Sequence, residues 1–324
     1  MRLPSIRMLA AAALLFCSVS PAKDKKKDPN EIGNRNVGKG INFYSVEREI
    51  ALGKQLAEEV RRQSKLVDDP IIGEYVNRVG QNLVRNSDAT IPFSFQVVEG
   101  EQLNAFAFPG GFVFVYTGLI EAAETEAELA GAMAHEIAHV TARHITRQAT
   151  RGQLVNYASI PLILMGGWTG YAVRQGASMA IPLSFLTFSR GYESEADMLG
   201  LQYMYKAGYD PTASIDLFER MLSLEKRKPG IIAKVFNTHP MTGDRITKTQ
   251  KNIDEMLPAR PEFVVTTSEF NEVRERLKSR VVRRKDDDPN RPRLRRPAGA
   301  GQSVDDDDKD ADEKPTLKRR DLVE

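Results

Sequence analysis

Apolar residues recur every three to four positions between Ser45 and Val84: Ile50, Leu56 and Val60, then Ile72, Val76, Val79 and Leu83. That spacing predicts two amphipathic helices, with Asp69-Pro70 as the start signal of the second. From Phe93 the period changes to two, because Phe93, Phe95 and Val97 alternate with polar residues, and a strand is expected. Asn104 to Tyr116 reads as strand, tight turn and strand, with Pro109-Gly110-Gly111 as the turn. Thr125 and Glu128 make a capping box ahead of Leu129, Met133 and Ile137, which predicts one long helix over about 126–149. Further helices are expected from about Ser189 through Tyr205, from Pro211 through Leu224, and over Asp244–Met256.

Three stretches fall outside this alternation. Met8 to Val19 is apolar, follows Arg2 and Arg7, and is too short to span a bilayer. With Ser20 and Ala22 at the −3 and −1 positions of a cut after Ala22, residues 1–22 read as a signal peptide. Lipid attachment at Cys17 is the alternative, and bulky Phe16 before it fits poorly. Val155 to Phe188 is apolar and broken by glycines. It reads as a core helical hairpin, or as a mobile lid or peripheral membrane contact beside the site. After Val282 charge blocks replace apolar residues, so 283–324 is expected to be a disordered tail. Residues 23–40, charged and containing Gly and Asn, read as a flexible lead-in.

Composition narrows the class. With 41% hydrophobic and 28% charged residues the chain is an ordinary globular one, and a net charge of +2 gives no reason to expect nucleic acid. Cleavage after Ala22 would remove Cys17, the only cysteine, so the mature chain would have no disulfides. The chain has only 4 histidines, and His135, His139 and His144 fall within ten residues.

His135-Glu136-x-x-His139 is the central signal. On a helix, residues four apart share a face, so both imidazoles can reach one zinc ion. Glu136, beside the first ligand, can take a proton from the attacking water and pass it to the leaving amine. A third ligand within the same stretch would need histidine at 145 after a glycine at 142, and those positions hold Ile145 and Ala142. His144 is therefore assigned a structural or orienting role. Glu193 and Asp197, four apart, offer two carboxylates on one helical face, one for the metal and one to orient a histidine. Glu195, between them, reads as solvated.

Together these stretches resemble the zinc metallopeptidase family that includes HtpX, the CAAX prenyl endopeptidases and the periplasmic protease BepA. The matching segments are Asn104–Gly111, Thr117–Ile120, His135–His139, Ser189–Asp197 and His239-Pro240 with Arg245. The resemblance implies an α+β, predominantly α, zincin-type core with a small sheet beside the metal helix. It implies one zinc per chain held by His135, His139 and Glu193, with Asp197 behind them. It gives His239 a role in blocking the metal or in stabilising the reaction's tetrahedral intermediate, against a plain loop histidine. Arg245 is either a substrate-carbonyl partner or a structural pair. Asn104, Ala105, Phe106 and Ala107 would form an edge strand to which an extended substrate pairs, or a plain core strand.

The expected organisation is a metallopeptidase domain over 41–260, an extension over 261–282, and the tail. No counterpart is expected to the integral-membrane spans of HtpX and the prenyl endopeptidases, and where BepA carries helical repeats this sequence has a short segment, Leu257–Val282, and the charged stretch. The expected protein is an exported, periplasmic endopeptidase. Its partners would be unfolded or misfolded protein substrates and the envelope assembly machinery. The competing reading is an assembly factor with a self-inhibited metal site.

Overall fold

A computed structural model describes residues 24–164, 188–227, 239 and 243–287. The signal segment with Cys17, residues 165–187 of the apolar stretch and residues 288–324 of the tail lie outside the described residues. The chain divides into two units, Met1–Val281 and Val282–Glu324. The core and the site belong to the first.

Two helices open the fold as the periodicity predicts. α1 spans Val46–Gln63 with Ser45 accepting from the Arg48 amide, and α2 spans Pro70–Arg85 with Asp69 accepting from the Ile71 amide. Proline at the first turn of α2 gives up only an amide that has no partner there. β1 (Ser94–Val98), β2 (Ala105–Phe108) and β3 (Phe112–Tyr116) form a three-stranded sheet in the order β1-β3-β2. β1 runs parallel to β3 and β2 antiparallel to it. In the turn between β2 and β3, Gly110 and Gly111 have φ of 82° and 88°, a region open to glycine at little cost. α1 lies directly on this turn: a Cβ at Gly53 would stand 1.6 Å from the Pro109 carbonyl oxygen.

The strand period of two sorts the sheet's side chains. Ala105, Ala107, Val113 and Val115 join the main core with α2 and the later helices, while Phe106, Phe108 and Phe114 join a smaller cluster with Ala57 of α1. A short helix, α3 (Thr117–Ala122), was not expected and follows β3 at once.

α4 spans Glu126–Thr141 and α5 His144–Leu164, so the single long helix predicted over 126–149 is two. The break falls at Arg143, whose φ of 57° is left-handed; among the described residues no other non-glycine has a positive φ. The capping box at the start of α4 half-forms. The Glu128 amide donates to Thr125 Oγ1, but the Glu128 carboxylate accepts from the Glu124 amide rather than from Thr125.

α6 (Arg190–Ala207) follows, capped by Ser189 and ended by Gly208 at φ 90°. Then come α7 (Ala213–Arg227), α8 (Gly243–Met256) and α9 (Ser268–Asp287). α9 inserts Phe270, Val273 and Leu277 into the core. It runs on through 283–287, where Arg283-Arg284-Lys285 are good helix formers. The fold is thus predominantly helical with a small sheet, as expected.

The segment 24–40 is not the flexible lead-in that its composition suggested. It forms a strap of two 3-10 turns packed on α6. Arg35 donates to both Asp88 oxygens at 2.9–3.1 Å, the pair is almost wholly buried, and Val37 is 2% exposed.

Candidate metal centre

α4 and α6 pack together more extensively than any other helix pair, and small residues let them approach. A Cβ at Gly200 would stand 3.2 Å from the His135 amide nitrogen. The approach sets Glu193 and Asp197 of α6 against His135 and His139 of α4.

The His135 and His139 Nε2 atoms face each other at 3.0 Å. Glu193 Oε1 lies 3.4 Å from His139 Nε2, and Oε2 lies 3.5 Å from His135 Nε2. His239 joins them from a separate segment, its Nδ1 3.0 Å from Glu193 Oε1 and 3.3 Å from His135 Nε2. These four residues each offer a ligand atom, and the four atoms lie within 4.8 Å of one another. His239 Nε2 also reaches Glu136 Oε1 at 3.3 Å.

The remaining ring nitrogens are occupied. His135 Nδ1 lies 3.0 Å from Asp197 Oδ1, a close ionic contact slightly off the hydrogen-bond line. His139 Nδ1 lies 3.0 Å from His144 Nδ1. Phe188 covers the cluster, stacked on the His139 ring with centroids 3.9 Å apart.

Arg245 is committed to the acidic pair. It donates from Nε and Nη2 to the two Asp197 oxygens at 2.9 and 2.7 Å, and its Nη1 lies 3.0 Å from Glu193 Oε2. Of the two roles expected for it, the structural pair matches these contacts.

Glu195 is a correction. It is not a solvated residue, because the strap covers its face of α6. Its carboxylate lies 2.7 Å from Lys26 Nζ, 3.2 Å from His144 Nε2 and 3.4 Å from Arg147 Nη1. No local signal in the sequence joins Lys26 to a residue 169 positions away.

Charges in this cluster are strongly coupled. Burial opposes a proton on His135, yet Asp197 and Glu193 outweigh it and raise its pKa to about 10. Burial drives His139 the other way, well below the usual histidine range. Glu193 and Asp197 stay ionised against burial, the first under the pull of His239 and His135, the second under that of Arg245 and His135. Burial raises Glu136, with His239 and His135 opposing.

These residues fit a metal ion. The donor set is nitrogen and carboxylate, its members are buried, and Glu193 Oε2 receives no directed hydrogen bond. The carboxylates draw positive charge to the point where the ring nitrogens converge, and a divalent cation supplies that charge.

Beside the cluster a cavity is lined by Asn104, Ala105, His135, Glu136, Phe218 and Met221. β2 borders it as an edge strand. Tyr116 donates to the Asn104 carbonyl at 3.0 Å, so in this register 104, 106 and 108 pair with β3. The backbone groups of Ala105 and Ala107 therefore point away from β3.

A His-Glu-x-x-His helix, a carboxylate on a neighbouring helix placed to be the third ligand and a small sheet beside them define a metallopeptidase-type centre. Residues 71–253, more than half of the chain, match the model of peptidase family M48, and the protein belongs to that family. It is 31% identical over 222 residues to the beta-barrel assembly-enhancing protease of Yersinia pestis, covering 66% of this chain and 46% of that one. To the Escherichia coli K12 protein of the same name it is 29% identical over 266 residues, or 80% and 53% of the two chains. To the mitochondrial metalloendopeptidase OMA1 of Schizosaccharomyces pombe it is 34% identical over 189 residues, or 57% and 52%. The chain spans about half the length of these curated relatives. Among the described residues no helix is long and apolar enough to cross a membrane.

Proposed function

We propose that the protein is a zinc-dependent endopeptidase that cuts unfolded or misassembled proteins of the cell envelope after export to the periplasm. The observation that carries the reading is the convergence of His135, His139 and Glu193 within hydrogen-bonding distance of one another, with the Glu136 carboxylate beside them. A bound zinc would polarise the scissile carbonyl and acidify the attacking water. Glu136 takes the proton from that water and returns it to the leaving amine, and its raised pKa suits a group that must both accept and release a proton. Asp197 orients His135, and Arg245 holds Asp197 and Glu193 against each other's charge. The open edge of β2 at Ala105 and Ala107 holds an extended chain by backbone pairing, with little demand on its side chains. In this reading the metallopeptidase domain spans 41–260, 24–40 is its strap and 261–282 its extension. The names of the bacterial relatives support a role beside beta-barrel assembly.

A second reading is favoured by His239. Its place among the ligand atoms gives four protein donors, the number of a closed structural site rather than an open catalytic one. The protein is then self-inhibited until His239 withdraws, and its binding of client chains matters more than cleavage.

The test is cleavage of unfolded casein by the mature chain, with metal analysis, for wild type, Glu136→Gln and His239→Ala. Stoichiometric zinc, with hydrolysis lost only in Glu136→Gln, supports the open peptidase. A silent wild type with an active His239→Ala supports the self-inhibited form. A wild type that binds no zinc refutes both.

A further inference from the structure

This inference rests on the metal site proposed above and concerns what fixes His139. A carboxylate stands at the second nitrogen of His135, but at that of His139 stands another imidazole, His144, which is wholly buried. A histidine that gives Nε2 to a metal carries its proton on Nδ1. His139 Nδ1 therefore donates, and His144 Nδ1, 3.0 Å away, accepts. That places the proton of His144 on Nε2, which faces Glu195 Oε2 at 3.2 Å. Glu195 in turn accepts from Lys26 Nζ through Oε1 at 2.7 Å. Every atom from His139 to Lys26 then has one consistent role as donor or acceptor.

The backbone is bent to make this chain. On a continuous helix His144 would sit about 140° around the axis from His139. The left-handed Arg143 ends α4 and restarts the chain with His144 as the first residue of α5, facing back to His139. The far end is held as firmly. The Lys26 carbonyl accepts from Arg35 Nη1 at 2.7 Å and from Gln202 Nε2 at 2.9 Å, and Arg35 is itself locked on Asp88.

We propose that His144 is the positioning residue for His139, and that the strap 24–40 belongs to the metal centre, steadying His144 through the Lys26–Glu195 pair.

The test measures zinc affinity of the mature chain by competition with a chromogenic chelator, and the thermal stability of the metal-free protein. His144→Leu is expected to weaken zinc binding about 10- to 100-fold. His144→Asn, whose amide oxygen can accept where Nδ1 does, recovers most of it. Glu195→Gln and Lys26→Met give smaller losses and add little when combined with each other. Unchanged affinity in His144→Leu overturns the proposal. So does an equal loss in His144→Asn and His144→Leu that merely tracks a fall in metal-free stability. Should His144→Leu fail to fold, Glu195→Gln and Lys26→Met decide, and unchanged affinity in both overturns it. His139→Ala separates the two levels: if that variant keeps full zinc affinity, it is the metal-site reading that fails.

Discussion

Arg245 offers the sharpest test of how this centre is balanced. It is 6% exposed, and its guanidinium touches Asp197 at 2.7 and 2.9 Å and Glu193 at 3.0 Å. Arg245→Met would leave buried Asp197 without its strongest partner and take one cation away from Glu193. Breaking a buried pair by removing one partner costs about 3–5 kcal/mol, because the surviving charge is desolvated without compensation. For a domain of this size each kcal/mol shifts the melting point by about 2–4 °C, so the metal-free variant should melt on the order of 6–20 °C below wild type. Added zinc should restore part of that gap, since the cation meets the same Glu193. Arg245→Lys, which keeps the charge but loses the planar fork, should fall between the two. Circular dichroism melts with and without zinc read all three. A metal-free Arg245→Met that stays within about 1 kcal/mol of wild type would show that the carboxylates do not depend on this residue.

Three other expectations follow from separate parts of the fold. Gly200→Val must push α6 from α4, and should both destabilise the protein by about 1–3 kcal/mol and weaken zinc binding; unchanged zinc affinity would mean that the close approach at Gly200 does not set the ligand geometry. Asp69 is held below its ordinary pKa because Arg276 and the amides of Ile71 and Ile72 outweigh burial. Its ionised form therefore adds stability that is complete above the usual carboxylate range and is lost as pH falls through the lowered value. Urea melts of Asp69→Asn and wild type should differ at pH 7 and converge in acid, and a gap independent of pH would refute this. Hydrolysis of unfolded casein should vanish in Glu136→Gln while bound zinc remains; loss of both together would make Glu136 a structural residue.

Much of the centre was legible because its chemistry is local. His135 and His139, or Glu193 and Asp197, share a helical face by spacing alone, and the capping residue Thr125 marked the start of the first of these helices. What the sequence hid was non-local. Arg143 adopts a left-handed conformation with no glycine or asparagine to signal it, so α4 and α5 read as one helix. Glu195 does turn away from the ligand cluster, as its spacing from Glu193 requires, but what lies there is Lys26 rather than water. Arg35 and Lys26 sit in a charged segment whose composition resembles a linker, and its distant partners Asp88, Glu195 and Gln202 make it part of the fold. Arg245 kept two roles open because its partners are 48 and 52 positions away in sequence.

The wide separation of these partners bears on when the site comes into being. Lys26 and Glu195, His135 and His239, and Asp197 and Arg245 are 169, 104 and 48 residues apart. A chain emerging N-terminus first holds the complete histidine motif long before Glu193, His239 or Arg245 has appeared. The cluster forms only after the residues that carry His239 and Arg245 have docked, and non-local closure of this kind comes late in folding. A member of this peptidase family thus has no assembled centre while it is itself unfolded, and its maturation is timed by its own tertiary structure.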